Sequence, residues 1–215
     1  MVTHGLLAQM RAQSHQNAEV EQFLQSALAQ VKAEPATAAW FALRGGRHDY
    51  AIFDAFSSEE GRLAHLEGPV AKALVSRAPW LFKQPPGIET IEIIANKMPA
   101  QLRVEDATCG VLLSFRAKKG HEVDVEQFLR DAQALARDEP GTTAWFALRW
   151  PERRYGIFDV FPDHAARNAH VTGHVPRELA KHAFKLLGGV PSMDLLDVLA
   201  SHMAERTTLV GLGVD

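Results

Sequence analysis

The 215-residue chain has one cysteine, Cys109. No intrachain disulfide can form, which excludes a disulfide-stapled secreted scaffold and fits a reducing compartment. No block of lysine or arginine occurs, and 23 Lys+Arg against 26 Asp+Glu leave a formal net charge of −3. This balance provides no basic face for nucleic acid or an acidic membrane. No apolar run is long enough to span a bilayer, and the residues after Met1 lack the charged-then-apolar form of a secretory leader. The expectation is a cytoplasmic protein whose partner is neither nucleic acid nor membrane. A phosphate loop and a Gly-x-Ser-x-Gly elbow are also missing, and Gly211-Leu212-Gly213 is no dinucleotide fingerprint. Cys109 has no histidine near it in sequence and reads as inert packing.

What is present is a duplication. Glu34-Pro35 recurs as Glu139-Pro140, Ala39-Trp40-Phe41-Ala42-Leu43-Arg44 as Ala144-Trp145-Phe146-Ala147-Leu148-Arg149, and Phe53-Asp54 as Phe158-Asp159, always at an offset of 105 positions. Arg62, Ala64-His65 and Gly68 recur as Arg167, Ala169-His170 and Gly173. Solenoid repeats run roughly 20–50 residues, so a unit this long is a whole domain. We expect two like domains, 1–100 and 101–215, joined at a linker over 98–107, with a tail over 204–215 outside the repeat.

Each copy follows one order. Gly5–Arg11 reads as a strand. Val20, Phe23, Leu24, Ala27, Leu28 and Val31 recur at helical spacing, and the helix ends before Pro35, because the residue preceding a proline is steered away from the helical region. Thr37–Arg44 and Tyr50–Phe56 form a hairpin around Gly45-Gly46. Ser58, or Asp163 in the second copy, caps a second helix whose predicted buried stripe is Leu63, Leu66, Val70 and Leu74. Ile88–Ile94 is the last strand. The order is βαββαβ, the ferredoxin-like pattern. Such a sheet carries helices on one face only, so its other face needs a cover. The fold class is therefore α+β, with two tandem ferredoxin-like domains packed sheet to sheet as an intrachain pseudo-dimeric α/β barrel. Further pairing into a homodimer is left open.

Glu-Pro-x-Thr before the second strand, and Phe-Asp-x-Phe leading into a helix with Ala-His, resemble the antibiotic-biosynthesis-monooxygenase-like family, once per half. The resemblance implies small dimeric α/β-barrel proteins, among them cofactor-independent oxygenases of quinol-like aromatics, haem-degrading enzymes and isomerase-like members. The family's Glu-x-Trp is here Asp54-x-Phe56 and Asp159-x-Phe161. The early strand Asn of haem degraders is missing from Gly5–Arg11 and from its mate. Haem degradation is thereby disfavoured. The resemblance implies a cofactor-independent monooxygenase of a quinol-like or other electron-rich aromatic, using dioxygen, with no cofactor and no metal. A non-catalytic small-molecule binding or stress-response protein of the same fold is the alternative.

Strand alternation sorts the hairpin. If the loop is symmetric, Trp40 faces Asp54 and Arg44 faces Tyr50 across it, on one surface that also holds Phe56. The mates are Trp145, Asp159, Arg149, Tyr155 and Phe161. In the resembled family this face lines the ligand cavity under the helices, so these residues are substrate-binding candidates; the alternative is a core tryptophan with an Asp–Arg pair pinning two strands. His65 and His170 are candidate general bases, and Arg62 and Arg167, one turn earlier, candidate oxyanion partners; the alternative is a histidine capping a strand carbonyl. Gly68 and Gly173, costly in a helix interior, suggest close approach of a neighbour. Where the copies differ, Leu28 becomes Gln133 and Leu63 becomes Asn168. Both changes are expected on buried stripes, which would make the second interior more polar and its pocket the specialised one. His170 and His174 stand four apart without the third ligand a metal site needs. Trp80-Leu81-Phe82 reads as cover for its own domain core.

Overall fold

The computed structural model describes residues 2–204, the side chain of Val175 apart, so all but the first residue of the tail lies outside the described residues. The first half comprises β1 (His4–Arg11), α1 (Asn17–Val31), β2 (Thr37–Arg44), β3 (Asp49–Phe56), α2 (Glu59–Leu66), α3 (Pro69–Leu81) and β4 (Gly87–Lys97). The second comprises β5 (Cys109–Arg116), α4 (Glu122–Asp138), β6 (Ala144–Arg149), β7 (Arg154–Phe161), α5 (His164–Val171), α6 (His174–Leu186) and β8 (Ser192–Met203).

The expected second helix of each half is two helices. Gly68 is the N-cap of α3, not an interior residue, and Pro69 fills the first helical position, where its missing N–H costs nothing. The Gly68 N–H donates to the His65 carbonyl over 2.9 Å, and the Gly173 N–H to the His170 carbonyl over 2.7 Å. A Cβ at Gly68 would lie 3.0 Å from the His65 carbonyl and 3.1 Å from Glu34 Oε1, so the close neighbour is the chain itself. The break resets the helical phase. Val70 and Leu74 are buried as expected, whereas Leu63 is 49% exposed. In α1, Val20, Phe23, Leu24, Ala27 and Val31 are buried. The caps hold: Ser58 accepts from the Gly61 N–H and Asp163 from the Ala166 N–H.

The two sheets do more than lie against each other. They close into one antiparallel barrel of order β1-β3-β2-β8-β5-β7-β6-β4. The last strand of each half pairs with the first strand of its own half on one edge and with the other half on its second edge. β4 pairs with β6, from Glu92↔Arg149 to Lys97↔Trp145, and β8 pairs with β2, from Ala39↔Met203 to Arg44↔Asp197. No edge is left unpaired, which disposes of the main association hazard of a sheet.

Alternation then divides the side chains. Phe41, Phe53, Phe146 and Phe158 point into the barrel, where Phe53 and Phe158 stand 4.6 Å apart by ring centroid and Phe53 and Phe146 5.0 Å. Trp40, Ala42, Tyr50 and Ile52 point outward under α1 and α3, and Trp145, Ala147, Tyr155 and Ile157 under α4 and α6. The hairpin register is the symmetric one, with Trp40↔Asp54 and Arg44↔Tyr50, and Trp145↔Asp159 and Arg149↔Tyr155. The acidic-x-aromatic face therefore looks at the helices.

Phe53, fully buried between both halves, tests this packing. Phe53→Ala should lower stability by about 3–5 kcal/mol, measured as a drop in the urea midpoint of a single transition for both halves. Two separate transitions would contradict the shared core.

Candidate active site

Each half brings a glutamate, a histidine and an aspartate together. Asp54 is at the helix-facing side of β3, His65 in the last turn of α2, and Glu34 in the turn between α1 and β2. His65 Nδ1 is 2.6 Å from Glu34 Oε2 and His65 Nε2 is 3.5 Å from Asp54 Oδ1. The second copy repeats this, with His170 Nδ1 2.6 Å from Glu139 Oε2 and Nε2 3.6 Å from Asp159 Oδ2. The hydroxyls of Thr37 and Thr142 donate to the glutamates over 2.9 and 3.0 Å. Phe56 and Phe161 lie against the imidazoles, with centroids 5.4 and 5.1 Å away.

The local sequence explains the assembly. The Ser58 or Asp163 cap starts the short helix two turns before the histidine, and the glycine break ends it directly after. Glu-Pro-x-Thr forms the facing turn, in which the Thr37 N–H donates to the Glu34 carbonyl. Glu34, Thr37, Glu139 and Thr142 join the candidate site in the structure, and sequence reasoning missed them. It took Glu34-Pro35 for a helix stop, yet the motif's recurrence at Glu139-Pro140 was visible, and a helix stop does not need a glutamate.

Burial of Asp54 pushes its carboxyl up to about 7, against the pull of His65 and with the push of Glu34. Asp159 is likewise pushed up to about 7 by burial, opposed by His170 and assisted by Glu139. Asp54 Oδ1 and Asp159 Oδ1 have no hydrogen-bond partner among the described residues. The glutamate fixes the imidazole by its Nδ1–H, leaving Nε2 to exchange a proton with an aspartate that titrates near neutrality. The arrangement can take up a proton, pass it to the imidazole and keep the charge balanced. Glu139 and Asp159 meet opposite nitrogens of one ring, so the three groups cannot converge on a single metal ion.

A cavity of about 350 Å³ opens onto this pair in the second half. Asp159 and His170 lie in its wall, and the remainder is apolar, with Val111, Ile157, Leu179 and Leu187 prominent. None of the residues lining it is Lys or Arg. At the matching first-half positions Leu6 replaces Val111, Leu66 replaces Val171, Val75 replaces Ala180 and Phe82 replaces Leu187. Phe82 is buried while Leu187 is half-buried. Two exchanges run the other way, Ala8 for Leu113 and Ala71 for Pro176.

Other candidates lie elsewhere. Arg62 Nη1 donates to the carbonyls of Gly5 and Ile91, and buried Arg167 to that of Leu196. Both arginines tie the helix to strand backbone and neither lines the cavity. Arg44 and Tyr50 bind Glu21, and Arg44 also binds Asp197. Arg149 and Tyr155 bind Glu126, and Arg149 also pairs with Glu92. These clusters staple α1 and α4 to the seams between halves, two strand pairs away from the aspartates. Trp40 and Trp145 are core, fully buried. Gln133 donates to the Asn96 carbonyl at the junction of the halves, and Asn168 is exposed. Neither makes the second interior more polar, because α4 meets β4 at that position and the helix break turns α5's stripe outward. His174 is exposed at the start of α6. Of Trp80-Leu81-Phe82, the last two are buried, whereas Trp80 is 69% exposed and covers no core.

No family model and no curated protein matches the chain. Solved structures do. The chain has the two-half barrel of the antibiotic-biosynthesis-monooxygenase-like fold. A "putative monooxygenase" of Fusobacterium nucleatum, FN1347, is 12% identical with a TM-score of 0.84, over 95% of each chain. A protein of the same description from Lactobacillus acidophilus has 12% identity and a TM-score of 0.80, over 94% of this chain and 97% of its own. An anthrone oxidase-like protein is 12% identical with a TM-score of 0.65, over 98% and 97%.

The buried aspartate has a consequence for stability. Asp159 titrates near about 7 when folded and near about 3.9 in an unfolded chain. Between those values the folded protein holds a proton that the unfolded chain has released, so stability falls as pH rises through the window. Asp159→Asn removes the penalty. The variant should gain on the wild type from pH 4 to pH 8, by on the order of 2 kcal/mol at the upper end, in thermal melts across pH. A constant difference would rule out the raised carboxyl.

Proposed function

We propose that the protein is a cofactor-independent monooxygenase of an electron-rich aromatic of quinol or anthrone type, and that the second-half cavity is its working site. The observation that carries this is the Asp159 carboxyl. It is buried, titrates near neutrality, has an oxygen without a partner among the described residues, and is backed by His170 and Glu139 at an apolar cavity. The likeness of the whole chain to monooxygenase-named and anthrone oxidase-like structures supports the chemistry. A volume near 350 Å³ lies at the small end of ligand pockets and suits a compact ring system.

In this reading Asp159 removes an acidic C–H or O–H proton from the bound aromatic. His170 accepts that proton through Nε2, and Glu139 holds the resulting imidazolium. Dioxygen takes the electrons from the aromatic anion. In an anthrone a ring CH₂ and one O₂ become a ring C=O and one water; in a hydroquinone a ring C–H gains the oxygen and the ring leaves as a hydroxyquinone, again with one water, so the substrate is the only reductant. The apolar wall raises the driving force by excluding water from the anion. Arg167 contributes by fixing α5 to β8, which positions His170.

Asp159→Asn and His170→Ala should each lower oxygen uptake with an anthrone or hydroquinone panel by about 10²–10⁴-fold. The wild-type kcat/KM should rise with pH along a limb near 7. Arg167→Gln should act on the melting temperature more than on kcat. Uptake that survives both site variants would refute the assignment. Thermal stabilisation by the same compounds without any uptake would make the chain a binding protein.

A further inference from the structure

A second hollow, about 850 Å³, lies outside the barrel where the halves meet. One wall is α4 with the end of β4; the other is the start of α2 with the turns beside it. Arg130, Gln133 and Arg137 face it from α4 and Lys97 from β4, with Ser58 opposite. The spacing 130, 133, 137 sets both guanidinium groups and the amide between them on one helical face. Val2, Ile94 and Met98 supply apolar surface. No carboxylate occurs among the described residues that line the hollow.

The duplication supplies an internal control. The 105-residue offset relates Arg130, Gln133 and Arg137 to Gln25, Leu28 and Lys32, and Lys97 and Ser58 to His202 and Asp163. Three fixed cations and no acid in one place correspond to one lysine, one histidine and one aspartate in the other. The same backbone is built with either set, so the fold does not require the charge. Part of the basic set is structural. Lys97 Nζ donates to the carbonyls of Ala136 and Glu139 over 2.9 and 2.7 Å, satisfying the end of α4, and Gln133 binds the Asn96 carbonyl. The arginines are less committed. Arg130 spends one nitrogen on the Ile94 carbonyl and stands 4.0 Å from Glu126. Arg137 is exposed and has no hydrogen-bond or ion-pair partner among the described residues. Cations around a concave, partly apolar wall whose described lining holds no carboxylate concentrate anions, and a guanidinium pairs with a carboxylate through two parallel hydrogen bonds.

We propose that this junction cleft is a binding site for an organic anion with an apolar body, its carboxylate held by Arg130 and Arg137 and its body against Val2, Ile94 and Met98. The site is separate from the cavity under α6 and does not depend on the monooxygenase reading.

Calorimetric titration with octanoate, and with octanol as its uncharged counterpart, tests it. Octanoate should bind the wild type, more weakly as salt is raised. The variant R130Q/Q133L/R137K, which gives α4 the residues of α1, should bind it at least about tenfold more weakly. Arg137→Gln alone, at an exposed position that folding does not depend on, should show a smaller loss. Ala183→Trp, which fills the other cavity, should bind octanoate as the wild type does. Absence of octanoate binding, octanol binding as tightly as octanoate, unchanged affinity in the α4 variants, or loss in Ala183→Trp would each overturn the proposal.

Discussion

The pairing of each half's last strand with both halves at once organises the rest of the molecule. β4 completes the seam against β6 and β8 the seam against β2. Neither half keeps a free edge, and the two inner sheet faces become one closed interior. That interior is filled by phenylalanines from both halves in tilted and edge contacts, which stabilise beyond the area they bury. A barrel of eight strands is just wide enough for its own side chains. A hollow of about 430 Å³ opens onto that interior past Leu7, Phe53, Phe158 and Leu196, while the cavity beneath α6 and the junction cleft lie outside the barrel.

Beneath the helices, alternation along β3 and β7 places one aspartate per half in an apolar layer. A carboxylate there is costly unless it is protonated or paired, and the histidine–glutamate arm offers a conditional pairing. The helix break directly after each histidine is held by a glycine, and a side chain at Gly68 or Gly173 would press on the histidine carbonyl and crowd the glutamate. A conformational requirement of the backbone thus becomes an electrostatic one at the site.

Duplication lets each half be read against the other. The Glu–His–Asp geometry agrees to within about a tenth of an ångström between copies, 2.6 and 3.5 Å in one and 2.6 and 3.6 Å in the other. What differs is the wall, where Phe82 is buried in the first half and Leu187 half-buried in the second, and the junction surface of α4. The copies have kept the proton-handling groups and diverged in what can reach them.

The sequence by itself determined the tandem repeat, the strand order and which side chains share a face, because these follow from local periodicity, turn residues and the fixed offset; that the face of Asp54 and Asp159 looks at the helices came from the family resemblance, the register from a symmetric loop, and the split of the second helix was not foreseen. It also singled out His65 and His170, which the structure brings beside Asp54 and Asp159. It did not reveal Glu34 and Glu139 as their partners, since a contact across 31 positions leaves no periodic trace. It put Arg62 and Arg167 beside the histidines because one helical turn separates them, although the strands behind α2 and α5 claim their guanidinium groups. It placed Gln133 and Asn168 in an interior they do not enter, because helical phase cannot be carried across a glycine break nor a helix face assigned before its neighbour is known. Only the tertiary structure decided that the last strands also bridge to the other half, since hydrogen-bond closure between distant edges depends on where two sheets meet and not on the residues within either.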